Sequence, residues 1–255
     1  MHVEVDRAAA ELSSAGFAHI RAPHESRDLA WSRARAAFDD AARDDALAAD
    51  MPPLSVVGQF TIPPPSARRR DFQALHLDFG LPVVPGASDV ARFTALYIDR
   101  DRARTTALTR IVRLRAVLQQ RAWVEPARLL ERLRRYGEAN APVEGILARL
   151  VEAADGAPTL PRSGDALCGL ELASLAHERE HFADRGLDLD AVEQRILLRP
   201  GELLLLDNLA TAHGRVGVRR PLELHQLCVG FRALDGAELS VLLRRVLGAF
   251  ERGGT

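Results

Sequence analysis

The 255-residue chain is short of several things, and each shortage closes off a class of protein. It has only two cysteines, Cys168 and Cys228, far apart and in apolar surroundings. That suits neither a disulfide framework nor a thiolate zinc site, and both are expected to be reduced core residues. It has no excess of charge: 34 Lys and Arg stand against 35 Asp and Glu, for a formal net charge of -1. No basic field is therefore present to gather phosphates, and nucleic acid is not an expected partner. No stretch approaches the roughly 18 consecutive apolar residues of a membrane span, and MHVEVDRAAAELSSAG at the N-terminus has no apolar signal core. A cytoplasmic location, away from membranes, is the expectation. What is there is 47% hydrophobic and 27% charged, ordinary for a soluble globular protein with a sizeable core.

Along the chain, helical and strand-like patterns alternate in blocks. Residues 1–50 carry apolar positions at spacings of three and four in RDLAWSRARAAFDDAARDDALAA, the pattern of an amphipathic helix. Residues 51–112 change character: prolines bracket a run rich in Val, Phe and Ile, and DFQALHLDFG and DVARFTALYIDRD read as further strands. Residues 113–195 form a helical insert, with Pro126 and Pro142 where helices can begin and Gly186 as a C-cap. Residues 196–235 return to strands in RILLRPGELLLLDN and ELHQLCVGFRAL, and 236–255 close with a helix. Strand blocks on both sides of an insert, without regular strand-helix alternation or a glycine-rich phosphate loop, argue against a doubly wound sheet. The expected fold is mainly β with α (α+β): one domain, an antiparallel double-sheet jelly roll, cupin-like, with helices outside.

Two stretches could hold a metal. HEREH, residues 177–181, fits the HExxH pattern, in which His177 and His181 share a helical face and Glu178 serves as general base. Such a site needs a third ligand, for which Glu193 and Glu202 are the candidates, and a dry cleft. Arg179 and Glu180 put charge between the histidines, as on a solvated helical face.

The other stretch is LHLDF. Residues i and i+2 of a strand point to one side, so His76 and Asp78 project together while Leu75, Leu77 and Phe79 pack on the other face. A His from another strand would complete a 2-His-1-carboxylate set, which leaves positions open on Fe(II). His213, after the buried run GELLLLDN, is such a residue; His225 is the other His in strand-like sequence, and a structural role for either His stays open.

These two blocks together resemble the Fe(II)/2-oxoglutarate-dependent dioxygenases of the taurine dioxygenase and clavaminate synthase-like superfamily. The late block of that family, a Pro-Gly-acidic turn, an aliphatic strand, Asp-Asn and His-Gly-Arg, corresponds to RPGELLLLDNLATAHGR; its early HxD corresponds to ALHLDFG. The resemblance covers roughly residues 50 to 235 and is strong locally at 74–80 and 199–215. It implies a double-stranded β-helix core, iron ligands His76, Asp78 and His213, and 2-oxoglutarate and O2 as cosubstrates. It implies a Thr near the cosubstrate, either Thr109 or Thr106, and a small-molecule substrate near Phe79 and Arg215. Asp78 occupies the position that Gly or Ala leaves for chloride in related halogenases, so hydroxylation of a C–H bond, or another oxidation such as desaturation, is favoured over halogenation.

The chain departs from the family on the strand after the last His. Family members place there an Arg for the distal carboxylate of 2-oxoglutarate, and Leu224–Leu227 reads LHQL. Arg219 or Arg220 could take that role, with His225 and Gln226 contacting cosubstrate or substrate. Three further readings remain: an iron oxidase of the same fold without 2-oxoglutarate, an HExxH zinc hydrolase, and a non-catalytic jelly-roll binding protein. An oligomer is compatible with all of them.

Overall fold

A computed structural model describes residues 2–21, 26–43, 51–62, 72–76, 81–84, 87–99, 107–113, 189–208, 210–216, 224–235, 238 and 241–242. Asp78, Phe79, Thr106, Cys168, the HEREH stretch, Arg219 and Arg220 lie outside the described residues, as does nearly all of the 113–195 insert.

Among the described residues, two antiparallel sheets form the body, with few helices. The elements in chain order are α1 (His2–Ala15), β1 (Phe17–Ile20), α2 (Arg27–Arg43), β2 (Ser55–Ile62), β3 (Phe72–His76), β4 (Leu81–Val84), β5 (Ala87–Tyr97), β6 (Ala107–Arg113), α3 (Leu189–Val192), β7 (Glu193–Leu198), β8 (Leu203–Asp207), β9 (Thr211–Val216) and β10 (Leu224–Leu234). The larger sheet runs β1-β8-β5-β10-β2 with β4 added against β5, and the smaller runs β3-β9-β6-β7. No helix among the described residues is long and apolar enough to cross a membrane.

The larger sheet is covered on both faces, which is why GELLLLDN carries an unbroken apolar run: every residue of β8 is buried. On one face Phe93, Ala95, Tyr97, Leu203, Leu205, Leu227 and Val229 receive the two helices. The apolar stripe of α2, Ala30, Trp31, Ala34, Ala37 and Phe38, follows the three-and-four spacing of its sequence. Its alanines let the helix lie close, while Phe38 stacks on Phe93 at 4.8 Å and Trp31 meets Tyr97 edge-on at 5.9 Å. On the opposite face Leu96, Ile98, Leu204, Leu206 and Leu224 pack with Ile111 and Leu198 of the smaller sheet. The two sheets thus share one apolar interior, and the side chains that enter it are fixed by strand parity.

Turns at the strand ends are held by named polar groups. Gly16 adopts φ +78° to end α1, its N–H donating to the Leu12 carbonyl at 2.9 Å, while its own carbonyl accepts from Asp207 N–H at 2.8 Å. In the Pro-Gly turn before β8, the Glu202 carboxylate accepts from Arg199 N–H at 3.0 Å and lies 3.0 Å from His19 Nε2. Glu193 on β7 is held by Arg110 Nε at 2.8 Å and by Arg195 Nε at 2.6 Å. Both acidic residues proposed as third zinc ligands are therefore engaged in the framework.

The Glu193 group has a pH signature. Burial pushes its carboxyl up, but the hydrogen bonds and charges of Arg110 and Arg195 outweigh burial and leave it below the ordinary carboxylate value. Its contribution is thus fully present above the unfolded-state value and is lost as pH falls through the lower folded one. Glu193→Gln is expected to cost about 3 kcal/mol at neutral pH, because it strips the charge partner from the buried Arg110, and to flatten the loss of stability in acid. Urea unfolding of both proteins across acid and neutral pH checks it; parallel curves would remove Glu193 as an acid-sensitive contributor.

Candidate functional site

The candidate site is built on the smaller sheet. β8, ending at Asp207, belongs to the larger sheet and β9, beginning at Thr211, to the smaller. Asp207 and Asn208 stand where the chain leaves the larger sheet. Asp207 pairs with Arg92 at 2.9 Å in a buried ion pair, and its carbonyl accepts from Thr211 Oγ1 at 2.9 Å. Asn208 Nδ2 donates to the Ala91 carbonyl at 3.2 Å and to Thr94 Oγ1 at 2.9 Å. The Asp-Asn of the sequence block is thus turn and strand-pinning chemistry that delivers His213 onto β9.

Register then decides what His213 meets. Position 213 stands opposite His76 on β3 and opposite Ile111 on β6. Arg215, two residues on and on the same face, stands opposite Gln73 on β3 and Thr109 on β6. Directly opposed residues of an antiparallel pair project to one face with Cβ atoms about 4.5–5.5 Å apart. Between Gln73 and His76 the register shifts by a bulge. That extra residue matters: without it positions 73 and 76 would fall on opposite faces, and with it both oppose residues of the 213/215 row.

This face is the interior one, since Ile111 belongs to the apolar cluster shared with the larger sheet. His213 is 4% exposed and Thr109 is fully buried, while Arg215 is half-buried. Thr109 Oγ1 has no hydrogen-bond partner among the described residues. A buried hydroxyl left unpaired costs stability, so it is a place where a polar ligand atom or a water is expected. Among the described residues no three His, Cys, Asp or Glu side chains gather into a metal-holding group, and Asp78 lies beyond them.

The LHQL window resolves by the same parity. Leu224 enters the interior apolar cluster, and Gln226, on the same face, is 8% exposed with its Nε2 3.4 Å from Cys228 Sγ. His225 points the other way, towards α2, where its ring meets Asp99, Thr61 and Arg27. The structure thus brings His76, His213, Arg215 and Thr109 to one sheet and Gln226 to the facing interior, and it sends His225 to the far side of the larger sheet. Asp99 and Arg27, its partners, carry no motif, and only the paired register identifies them.

Neither the family models nor the curated proteins compared with this chain give a match. Among solved structures, the chain is similar to PvcB, an Fe, alpha-ketoglutarate dependent oxygenase from an isonitrile synthetic pathway, at 15% identity and a TM-score of 0.43, over 90% of this chain and 84% of that one. It is also similar to asparagine oxygenase (AsnO), at 14% identity and a TM-score of 0.29, over 90% of each chain.

Proposed function

We propose that this chain is a non-haem Fe(II)- and 2-oxoglutarate-dependent oxygenase on a jelly-roll core, hydroxylating a C–H bond of a small molecule. The observation that carries the proposal is the register that pairs position 76 of β3 with the buried His213 of β9, with Asp78 two residues beyond His76 in the sequence. Two neutral imidazoles and a carboxylate are the donor set that suits Fe(II) and leaves open positions. The unpaired Thr109 hydroxyl, one strand away and opposite Arg215, fits a carboxylate that must accept a hydrogen bond.

His76, Asp78 and His213 would hold the iron, and with 2-oxoglutarate and O2 it would supply the oxidising power that breaks a C–H bond. The chain's own contribution is positional. His213 is fixed on a strand paired on both sides, so its ring is aimed without a flexible loop. Ile111 and the leucines of the facing sheet keep the iron side of the interior apolar and exclude water. Thr109, with Arg215 opposite, would donate to the distal carboxylate in place of the arginine that the LHQL window lacks. The substrate is a small molecule and the protein acts in the cytoplasm, with no nucleic-acid or membrane partner.

A second reading is favoured by one feature: the inward residues of the LHQL window are apolar Leu224 and neutral Gln226, so β10 brings no charge to a carboxylate there. That feature suits an iron oxidase of the same fold that does not use 2-oxoglutarate. Oxygen uptake after chelation and readdition of Fe(II) separates the two. Uptake that requires 2-oxoglutarate, and falls about tenfold or more in Thr109→Val, is the expected outcome; uptake indifferent to 2-oxoglutarate selects the second reading, and none under any condition removes both.

A further inference from the structure

His225 sits in a cluster that the proposed oxygenase chemistry does not use. Its ring is 5% exposed and lies on the helix-covered face of the larger sheet, three elements converging on it. Nε2 is 2.8 Å from Asp99 Oδ2, just beyond the end of β5, and Nδ1 is 3.2 Å from Thr61 Oγ1 of β2. Arg27 Nη1, from the first turn of α2, lies 3.1 Å from Nδ1 and 3.5 Å from Nε2. Arg27 Nη1 is thus within hydrogen-bonding reach of both ring nitrogens, on which Asp99 and Thr61 also converge.

The helix uses a matched pair of contacts. Arg27 and Trp31 are one turn apart on one side of α2, and the residues they meet, His225 and Tyr97, are direct cross-strand partners. Among the described residues the charged groups facing the ring are Arg27 and Asp99; β2 presents the Thr61 hydroxyl and β5 presents Tyr97. A proton added to the ring is accommodated by two of the three polar partners. Asp99 accepts from Nε2–H in either state, and the Thr61 hydroxyl turns from donor to acceptor. Arg27 is always charged and only donates, so it would face a second cation 3.1 Å from its Nη1.

We infer that the Arg27–His225 contact is a proton-sensitive latch on α2: with a neutral ring the first turn of the helix is clamped to the sheet, and protonation of His225 releases that turn while Trp31 stays on Tyr97. The device lies on the opposite face of the sheet from Leu224 and Gln226, so the clamp holds β10 at the point where its inward residues line the interior.

Amide hydrogen exchange of Leu29, Ala30 and Trp31 in the intact chain tests it, expressed as protection relative to the unfolded rate at each pH, with ring protonation followed in the same samples by the imidazole chemical shifts. Protection of these amides is expected to fall about tenfold as the His225 ring takes up its proton, and the amides of Phe38 to Asp40 are expected not to follow. In Arg27→Met the first turn is expected to exchange fast at every pH with no step, and in His225→Gln the step disappears. A ring that protonates without any change at Leu29–Trp31, or a step that persists in Arg27→Met, overturns the latch. Because Arg27 is half-exposed at a helix end, its variant leaves the buried stripe of α2 intact, and near-ultraviolet dichroism of Trp31 verifies this.

Discussion

His213→Ala is expected to lose Fe(II) binding by more than about a hundredfold and to lose oxidation with it. Removing even a hydrogen-bonding partner of a metal ligand typically costs about 10- to 100-fold, and His213 is proposed as a ligand itself. His76→Ala is expected to do the same, because the two positions are cross-strand partners and, on the proposed function, each would supply one donor of the same set. His225→Gln provides the internal contrast. It removes a strand histidine of similar burial from the other face of the neighbouring sheet, and Fe(II) affinity is expected to be unchanged. Iron content after anaerobic loading and desalting measures all three; equal loss in His225→Gln and His213→Ala would mean that both act through folding.

Gly230→Ala is expected to be the most destabilising single-methyl change in the described residues. Gly230 follows a register shift in β10, and a Cβ built there would lie 1.8 Å from the Val90 carbonyl oxygen and 2.6 Å from the Arg92 amide nitrogen. Both obstructing atoms are backbone of the paired strand β5, so no side-chain rotation relieves the clash. Either β10 and β5 separate or the bulge rearranges, and both disturb the sheet that carries the helix layer on one face and the shared interior on the other. Overpacking usually costs about 1–3 kcal/mol, and a backbone clash belongs at or above the top of that range. At roughly 2–4 °C per kcal/mol for a chain of this size, the melting temperature is expected to fall by roughly 6–12 °C. Gly58→Ala is the comparison. The nearest atom to its added Cβ is the Phe60 ring at 2.5 Å, and that ring is 43% exposed and can swing away. A similar drop in both variants would contradict the argument from backbone contact.

Much of the framework is legible in local pattern because each periodicity answers to one covered face. The three-and-four spacing of Ala30, Trp31, Ala34, Ala37 and Phe38 needs only a helix on a sheet, and the unbroken leucines of β8 need only cover on both sides. The turn before β8 is legible too, since a Pro-Gly-Glu run carries its own hydrogen-bond acceptor. The candidate site is half legible. LHLD reads as a strand, of which β3 carries Leu75 and His76, and His213 stands out by the apolar strand before it, but that the chain changes sheets between Asp207 and Thr211 is not announced. Which strands become neighbours is not written locally, because it depends on pairings between segments more than a hundred residues apart, such as β3 with β9.

Parity is the clearest case of that limit. Strict alternation puts Gln73 and His76 on opposite faces; one bulged residue, invisible in the sequence, brings both into the His213–Arg215 row. In LHQL the sequence leaves open whether His225 or Gln226 turns inward. The pairing of β10 with β5 and β2 settles it, sending His225 to Asp99 and Arg27 and leaving Gln226 inside.

The proposed iron site is tested most directly by anaerobic titration of the metal-free chain with Fe(II) and then with 2-oxoglutarate, followed by visible absorption. The expected result is one tightly held Fe(II) per chain and a metal-to-ligand charge-transfer band that saturates with 2-oxoglutarate, both absent in His213→Ala. Failure of the wild-type chain to hold Fe(II), or a band of full intensity in His213→Ala, would contradict an iron centre at His76, Asp78 and His213.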